Sequence, residues 1–301
     1  MKFQTISCIC FSPTGTTKII AEHIAKGMGA ERIEMMDCTK RSEREKLKGA
    51  FKDDPVILAT PVYYGRVPEE IAPFFAKLSA QKTPVVLAVV YGNREYEDAL
   101  KELHDIAVAD GFIPVAGGAF IAENSYSTAD RPIAQGRPDA DDLAKVEAFG
   151  ARVREKFELL DSPDSADALK VPGNVPYVTH QNLLMIKEAR KSVPLTPETD
   201  AELCTQCGRC VEVCPSGTVS LDEEVLTDRW RCSICFACIR NCPTGARQMT
   251  EPNFAKAIQQ LAGICRERKE PEFFSNRSPF PEPFGPGSGP RGFGLRIAQR
   301  P

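Results

Sequence analysis

Eight of the twelve cysteines in this 301-residue chain fall into a strict repeat toward its C-terminal end. One run reads Cys204-x2-Cys207-x2-Cys210-x3-Cys214-Pro215, the other Cys232-x2-Cys235-x2-Cys238-x3-Cys242-Pro243, with the same offset at all four positions. No secretory signal stands at the start of the chain, so clustered thiols read as metal ligands rather than a disulfide framework. A cubane iron–sulfur cluster takes four thiolates, one per iron. Three cysteines two residues apart wrap one short loop around three corners of a cube. The fourth is too far along the chain to close the same cube comfortably and reaches the other one. The expected ligand sets are therefore crossed. Cys204, Cys207, Cys210 and Cys242 hold one [4Fe-4S] cluster, and Cys232, Cys235, Cys238 and Cys214 the second. Paired CxxC units can also hold zinc, but the duplicated three-plus-one pattern with its prolines is far more specific for iron–sulfur.

Residues 200–250 are too few to bury a self-sufficient core. Clusters would staple the halves together, with Val211, Val213, Ile234 and Ile239 as a dry shell. Residues 200–248 closely resemble the bacterial-type two-cluster ferredoxins. The resemblance implies a small α+β domain and low-potential, one-electron transfer between two nearby clusters. Clusters that only hold the fold together are the blander alternative.

Residues 1–160 have a different texture. Strand-like runs at Thr5–Phe11, Arg32–Met36, Pro55–Ala59, Val85–Val90 and Ile113–Phe120 alternate with helical patterns. The helices are expected at Thr16–Met28, after Pro68 (Ile71, Phe74, Phe75 and Leu78 on one face), at Tyr96–Asp110, and around Leu143, Val146, Val153 and Phe157. Short apolar strands between amphipathic helices imply an α/β domain: a doubly wound, five-stranded parallel sheet in the order 2-1-3-4-5.

Open sheets of this kind bind ligands at the carboxyl ends of their strands. The first such loop is Ser12-Pro13-Thr14-Gly15-Thr16-Thr17. Its hydroxyls and the following helix N-terminus favour a small phosphate. It matches neither G-x-x-x-x-G-K-[ST] nor G-x-G-x-x-G. After the third strand comes Thr60-Pro61-Val62-Tyr63-Tyr64-Gly65-Arg66, and after the fourth Tyr91-Gly92-Asn93-Arg94-Glu95-Tyr96. Each brings tyrosine and glycine together, as a flat aromatic ligand would need. The plain alternatives are a capped helix start and turn chemistry with core aromatics.

Together these loops resemble the short-form flavodoxins over residues 1–160. The resemblance implies FMN, with Ser12, Thr14, Gly15, Thr16 and Thr17 at the phosphate. Pro61, Tyr63, Tyr64, Gly65, Arg66, Tyr91, Gly92, Asn93, Arg94 and Tyr96 would lie near the ring. The family usually carries Asn where Thr16 stands. A flavodoxin-like domain followed by a two-cluster ferredoxin resembles a set of fusion proteins of anaerobic microbes.

Residues 161–199 are broken by Pro163, Pro172, Gly173, Pro176, Pro194 and Pro197. They read as a linker that partly packs on its neighbours, with one short apolar helix around Leu183, Leu184 and Ile186. Phe254–Arg266 looks helical. From Pro271 onward, proline and glycine dominate and disorder is expected, although Phe273, Phe274, Phe280 and Phe293 leave docking open. The net charge of −3, spread over the chain, argues against nucleic-acid binding. No run of about 18 apolar residues is present, so a cytoplasmic protein without a membrane span is expected. Cys8, Cys10, Cys38 and Cys265 fall outside ligand spacing, as do His23, His104 and His180. Trp230 could shield a cluster, though packing is the blander reading.

The leading expectation is electron transfer between FMN and two [4Fe-4S] clusters, coupling one- and two-electron steps with redox partner proteins. A second is an FMN-dependent reductase of a small substrate such as a quinone, its pocket bordered by Arg66, Arg94 and the linker near His180. A third is a cluster-stabilised interaction or sensor module. A shaped cavity over the flavin would favour the reductase, and protein purified without flavin the module.

Overall fold

The computed structural model describes residues 3–47, 51–52, 54–178, 184, 188 and 195–275. His180, Leu183, Ile186, Phe280 and Phe293 lie outside the described residues.

The N-terminal half is built on strands β1 (Thr5–Cys10), β2 (Arg32–Asp37), β3 (Val56–Pro61), β4 (Thr83–Tyr91) and β5 (Phe112–Ile121). They pair in parallel in the order 2-1-3-4-5. β3 and β4 are buried along almost their whole length, as strands covered on both faces must be. Helices α1 (Thr16–Gly27) and α5 (Ala140–Leu159) cover one face, where Ile6, Cys8, Cys10, Ile24 and Phe149 share a core. Helix α4 (Ala99–Ala109) and the short turns α2 (Arg41–Lys46) and α3 (Ala72–Phe75) complete the helical set. The opposite core holds Ile9, Phe75, Leu87 and Leu100. The doubly wound flavodoxin-like sheet expected from the sequence is thus present. The helix expected after Pro68 shrinks to α3, four residues with Pro73 in its first turn, because proline cannot donate within a helix interior.

One strand was not expected. Glu272–Ser275 forms β10, which pairs antiparallel with β5 and extends the sheet at its edge. Phe273 stacks on Phe149 at 4.9 Å between ring centroids, and Phe120 lies at 5.8 Å. The tail expected to be disordered from Pro271 therefore starts with an ordered strand. Two half-buried phenylalanines packed against an existing core offset the entropy of fixing four residues.

The cysteine-rich segment is small and nearly two-fold. Helices α6 (Arg209–Glu212) and α7 (Ala237–Arg240) follow the two cysteine loops. Strand β6 (Glu198–Thr199) pairs with β9 (Arg247–Gln248), and β7 (Val219–Leu221) with β8 (Val225–Thr227). Helix α8 (Pro252–Ile264) then returns to the flavodoxin-like half. The segment between the halves lies along α4. Asp98 accepts from the amides of Asn174 and Val178, at 2.8 and 2.7 Å, and the Tyr177 hydroxyl donates to Asp105 at 2.6 Å.

Candidate functional site

A cavity of about 910 Å³ opens at the carboxyl ends of β1, β3, β4 and β5. The loop after β1 shows how backbone makes one wall. Gly15 sits at φ +89°, in the left-handed region, and a side chain there would meet no atom within 4 Å. Conformation rather than space therefore demands glycine. The Gly15 amide donates to the Ser12 carbonyl, and the Lys18 amide to the Ser12 hydroxyl at 3.0 Å. The amides of Thr14, Thr16 and Thr17 have no acceptor among the described residues, and all three residues line the cavity. A helix N-terminus with unpaired amides suits a phosphate.

The loop after β3 adds Pro61, Tyr63, Tyr64 and Gly65, and the loop after β4 adds Tyr91, Gly92 and Arg94. Gly65 has φ +78°, and a side chain on it would strike the Glu97 carboxylate, so the turn closes only with glycine. Burial holds the Tyr63 and Tyr126 hydroxyls well above the usual phenol range, which keeps both neutral.

The structure does not bring every expected residue into this cavity. Ser12 braces its own loop: its amide donates to Thr39 at 2.8 Å and its hydroxyl accepts from Lys18. Arg66 makes a two-pronged bond to Glu102, at 2.8 and 2.7 Å, and lies over the Tyr177 ring. The buried Asn93 points its amide at the carbonyls of Cys265 and Glu267, at 2.9 and 2.8 Å. Tyr96 donates to Glu272 at 2.8 Å. Other lining residues were missed by sequence reasoning. The loop after β5 contributes Ala122, Glu123, Asn124, Ser125 and Tyr126, and α8 contributes Phe254, Ala257, Ile258 and Leu261. Strand position was a usable signal for the first group, because that loop also leaves a carboxyl end. Nothing local marks α8 as a wall.

The two cysteine loops repeat in conformation as well as in sequence. Gln206 and Gly208 have φ +54° and +72°, and their counterparts Ile234 and Phe236 have +55° and +63°. Cys204, Cys207, Cys210 and Cys242, the first crossed set, line one small cavity of about 20 Å³ together with Arg247. In the second set Cys232, Cys235 and Cys238 are buried, and Cys214 packs into the same apolar group as Cys238. Among the described residues no three His, Cys, Asp or Glu side chains are grouped so as to hold a single metal ion. Four sulfurs around a void fit a multi-atom cluster better than one zinc ion. Burial pushes the Cys235 thiol up. Burial also acts to raise Cys242, but the amides of Arg247, Thr244 and Ala246 and the Thr244 hydroxyl outweigh it and hold that thiol below its usual range. Such amides stabilise thiolate sulfur.

The two sites adjoin. Tyr126 donates from its hydroxyl to the carbonyl of Ile234, between Cys232 and Cys235, at 3.1 Å. Its ring meets Phe236 edge-on at 4.7 Å and Phe254 at 5.2 Å. Arg240 reaches from α7 to the Glu123 carboxylate and to the carbonyls of Asn124, Ser125 and Ser127, at 2.9 to 3.1 Å. Arg44 donates to the Pro215 carbonyl at 2.5 Å, and Lys40 to Glu212 at 3.2 Å. Trp230, in contrast, is 58% exposed, with the Arg229 guanidinium over its ring at 4.5 Å. Burial raises the thiols of Cys8, Cys10 and Cys38, as expected of cysteines that serve as core residues.

Residues 8–131 match the flavodoxin domain family model, and residues 196–243 the 4Fe-4S dicluster domain model. A comparison with curated protein sequences gives no match. Among solved structures, a flavodoxin from the domain Archaea is 13% identical over 51% of this chain and 99% of its own, with a TM-score of 0.35. Oxidised Flavodoxin 2 from Bacillus cereus is 20% identical over 51% and 99%, at 0.39. A Streptococcus pneumonia flavodoxin is 18% identical over 50% and 99%, at 0.36. No helix of the described residues is long and apolar enough to cross a membrane. The chain is a flavodoxin–ferredoxin fusion, joining a flavodoxin domain to a 4Fe-4S dicluster domain.

Proposed function

We propose that this protein transfers electrons between FMN, held at the carboxyl ends of β1, β3 and β4, and two [4Fe-4S] clusters on the crossed cysteine sets. FMN exchanges one or two electrons and each cluster one, so the pair couples the two modes. The chain's own part is to hold, orient and dry these groups. Unpaired amides and hydroxyls at Thr14, Thr16 and Thr17 take the phosphate. Tyr63, Tyr64, Tyr91 and Tyr126 give the ring aromatic walls. Phe236, Phe254 and Ile234 keep water from the seam between the sites. The observation that carries the reading is the contact of Tyr126 with the second cysteine loop, through the Ile234 carbonyl at 3.1 Å and the Phe236 ring at 4.7 Å. One side chain bridges a cavity wall and a cluster loop, so charge crosses no solvent gap.

Anaerobic purification with iron, sulfide and flavin counted tests this reading. Two cubanes require about eight iron per chain, with one FMN. Iron near half that value would remove one cluster from the scheme, and a colourless preparation all of it.

The cavity also favours a second reading, reduction of a small substrate such as a quinone. Its volume of about 910 Å³ lies near the top of the usual ligand range of about 300–1,000 Å³, and the apolar face of α8 roofs it. Turnover with a quinone, lost on filling the roof with Leu261→Trp while FMN stays bound, supports it. A rate unchanged by that substitution opposes it.

A further inference from the structure

Five residues after the last cysteine of each run the two copies differ: the first has Val219, the second Arg247. Both are buried, at 6% and 3% exposed, and both sit in strands, β7 and β9. The Arg247 guanidinium donates to the hydroxyls of Thr199 and Thr227, at 2.6 and 2.7 Å. It lies 3.8 Å from the sulfur of Cys238, in the second cysteine set. The same residue lines the cavity formed by Cys204, Cys207, Cys210 and Cys242, the first set. Its Nε is buried and has no partner, and no carboxylate among the described residues pairs with it. A buried, unpaired cation is costly unless an anion compensates it. Among the described residues no carboxylate supplies that anion; the cysteine sulfurs gathered at the cavity, as thiolates, do.

We infer that Arg247 is a positioning charge that raises the reduction potential of the clusters. The inference rests on the two-cluster reading above. A cluster held by four thiolates is anionic, and the one electron it accepts makes it more so. A fixed positive charge in a dry site stabilises the reduced form more than the oxidised form. Because Arg247 lies between the two sets, it acts on both. The repeat itself indicates the test substitution, since the equivalent site in the first copy already holds valine. The hydroxyls that Arg247 releases keep other partners, the carbonyls of Val225 and Pro197 at 3.5 Å each.

Potentiometric titration of the full chain, followed by electron paramagnetic resonance of the clusters with dithionite as electron source, tests this. In Arg247→Val the ratio of reduced to oxidised cluster at a fixed potential is expected to fall at least about tenfold, equivalent to 59 mV for a one-electron couple. Arg247→Lys, which keeps the charge, should stay within about threefold of the wild type. A purely structural role would lower stability and leave the ratio in place. An Arg247→Val chain that retains its iron and changes the ratio by less than threefold, or raises it, overturns the inference. Should that chain lose iron, Arg247→Gln, which keeps a donor for the threonines, decides by the same criterion. Wild-type iron near half of about eight per chain would instead defeat the two-cluster reading, and so separates the two failures.

Discussion

A single backbone angle sets the shape of the first loop, the proposed phosphate site. Gly15 holds φ +89° with open space where a side chain would go. Gly15→Val therefore fails by strain, since a β-branched residue disfavours that region. The expected outcome is loss of FMN with the iron count unchanged, read from flavin released on denaturation. Retained flavin would tell against this loop as the phosphate site. Asp105 offers a test in pH. Burial acts to raise its carboxyl, but bonds from Lys101, Tyr177 and His104 outweigh this and bring it to about 2, from an ordinary 3.8. A carboxylate depressed on folding stabilises the fold fully above its unfolded value and loses that contribution as pH falls toward the folded one. The stability difference between the wild type and Tyr177→Phe should therefore close as pH drops from about 4 to about 2, measured by denaturant unfolding. Not every residue role was legible in this way. Asn93 lies in a loop at the correct end of the correct strand, and its residue type suits a flavin contact. Yet its amide secures the carbonyls of Cys265 and Glu267, which are remote in sequence, so no local pattern could reveal the partner.

At the scale of elements, strict short-range patterns were readable and long-range closures were not. The cysteine spacing fixes its own loops, so both runs keep matching left-handed residues. The parallel strands follow from apolar runs between amphipathic helices. β10 and the roof made by α8 depend instead on contacts with surfaces distant in sequence. A four-residue strand at the start of a Pro- and Gly-rich tail has too little pattern to stand out. Its worth can be measured. Phe273 packs on Phe149 and Phe120 but keeps some exposure. Phe273→Ala should cost about 2 kcal/mol, less than the ~3–5 kcal/mol of a fully buried phenylalanine, by equilibrium denaturation. Because Asn93, Tyr96 and Glu272 tie the C-terminal segment to the loop after β4, the same change should also weaken FMN binding. Unchanged flavin affinity would mean that the roof does not depend on the added strand.

At the scale of the whole molecule, the question is what holds two redox domains in one arrangement. The seam has an aromatic centre, Tyr126 with Phe236 and Phe254, and a polar rim dominated by Arg240. That guanidinium binds one carboxylate and three carbonyls of the loop after β5. The planar guanidinium donates to these fixed carbonyls in a rigid fork that lysine could not reproduce. Removing Arg240 leaves every proposed cysteine ligand and every residue of the proposed phosphate loop in place, so iron and FMN contents should stay at wild-type levels. What changes is the register of the second cysteine loop on Tyr126. Transfer between sites is steep in distance, so a small loosening suffices to slow it. Arg240→Ala is expected to slow electron equilibration between clusters and flavin by at least about tenfold, the cost of roughly 1.4 kcal/mol on the barrier. Flash reduction of one centre with optical detection of the other measures it. Arg240→Lys should recover only part of the rate. An Arg240→Ala chain with full cofactor content and an unchanged rate would mean that the aromatic centre alone fixes the arrangement. Tyr126→Ala would then be the substitution that separates the domains.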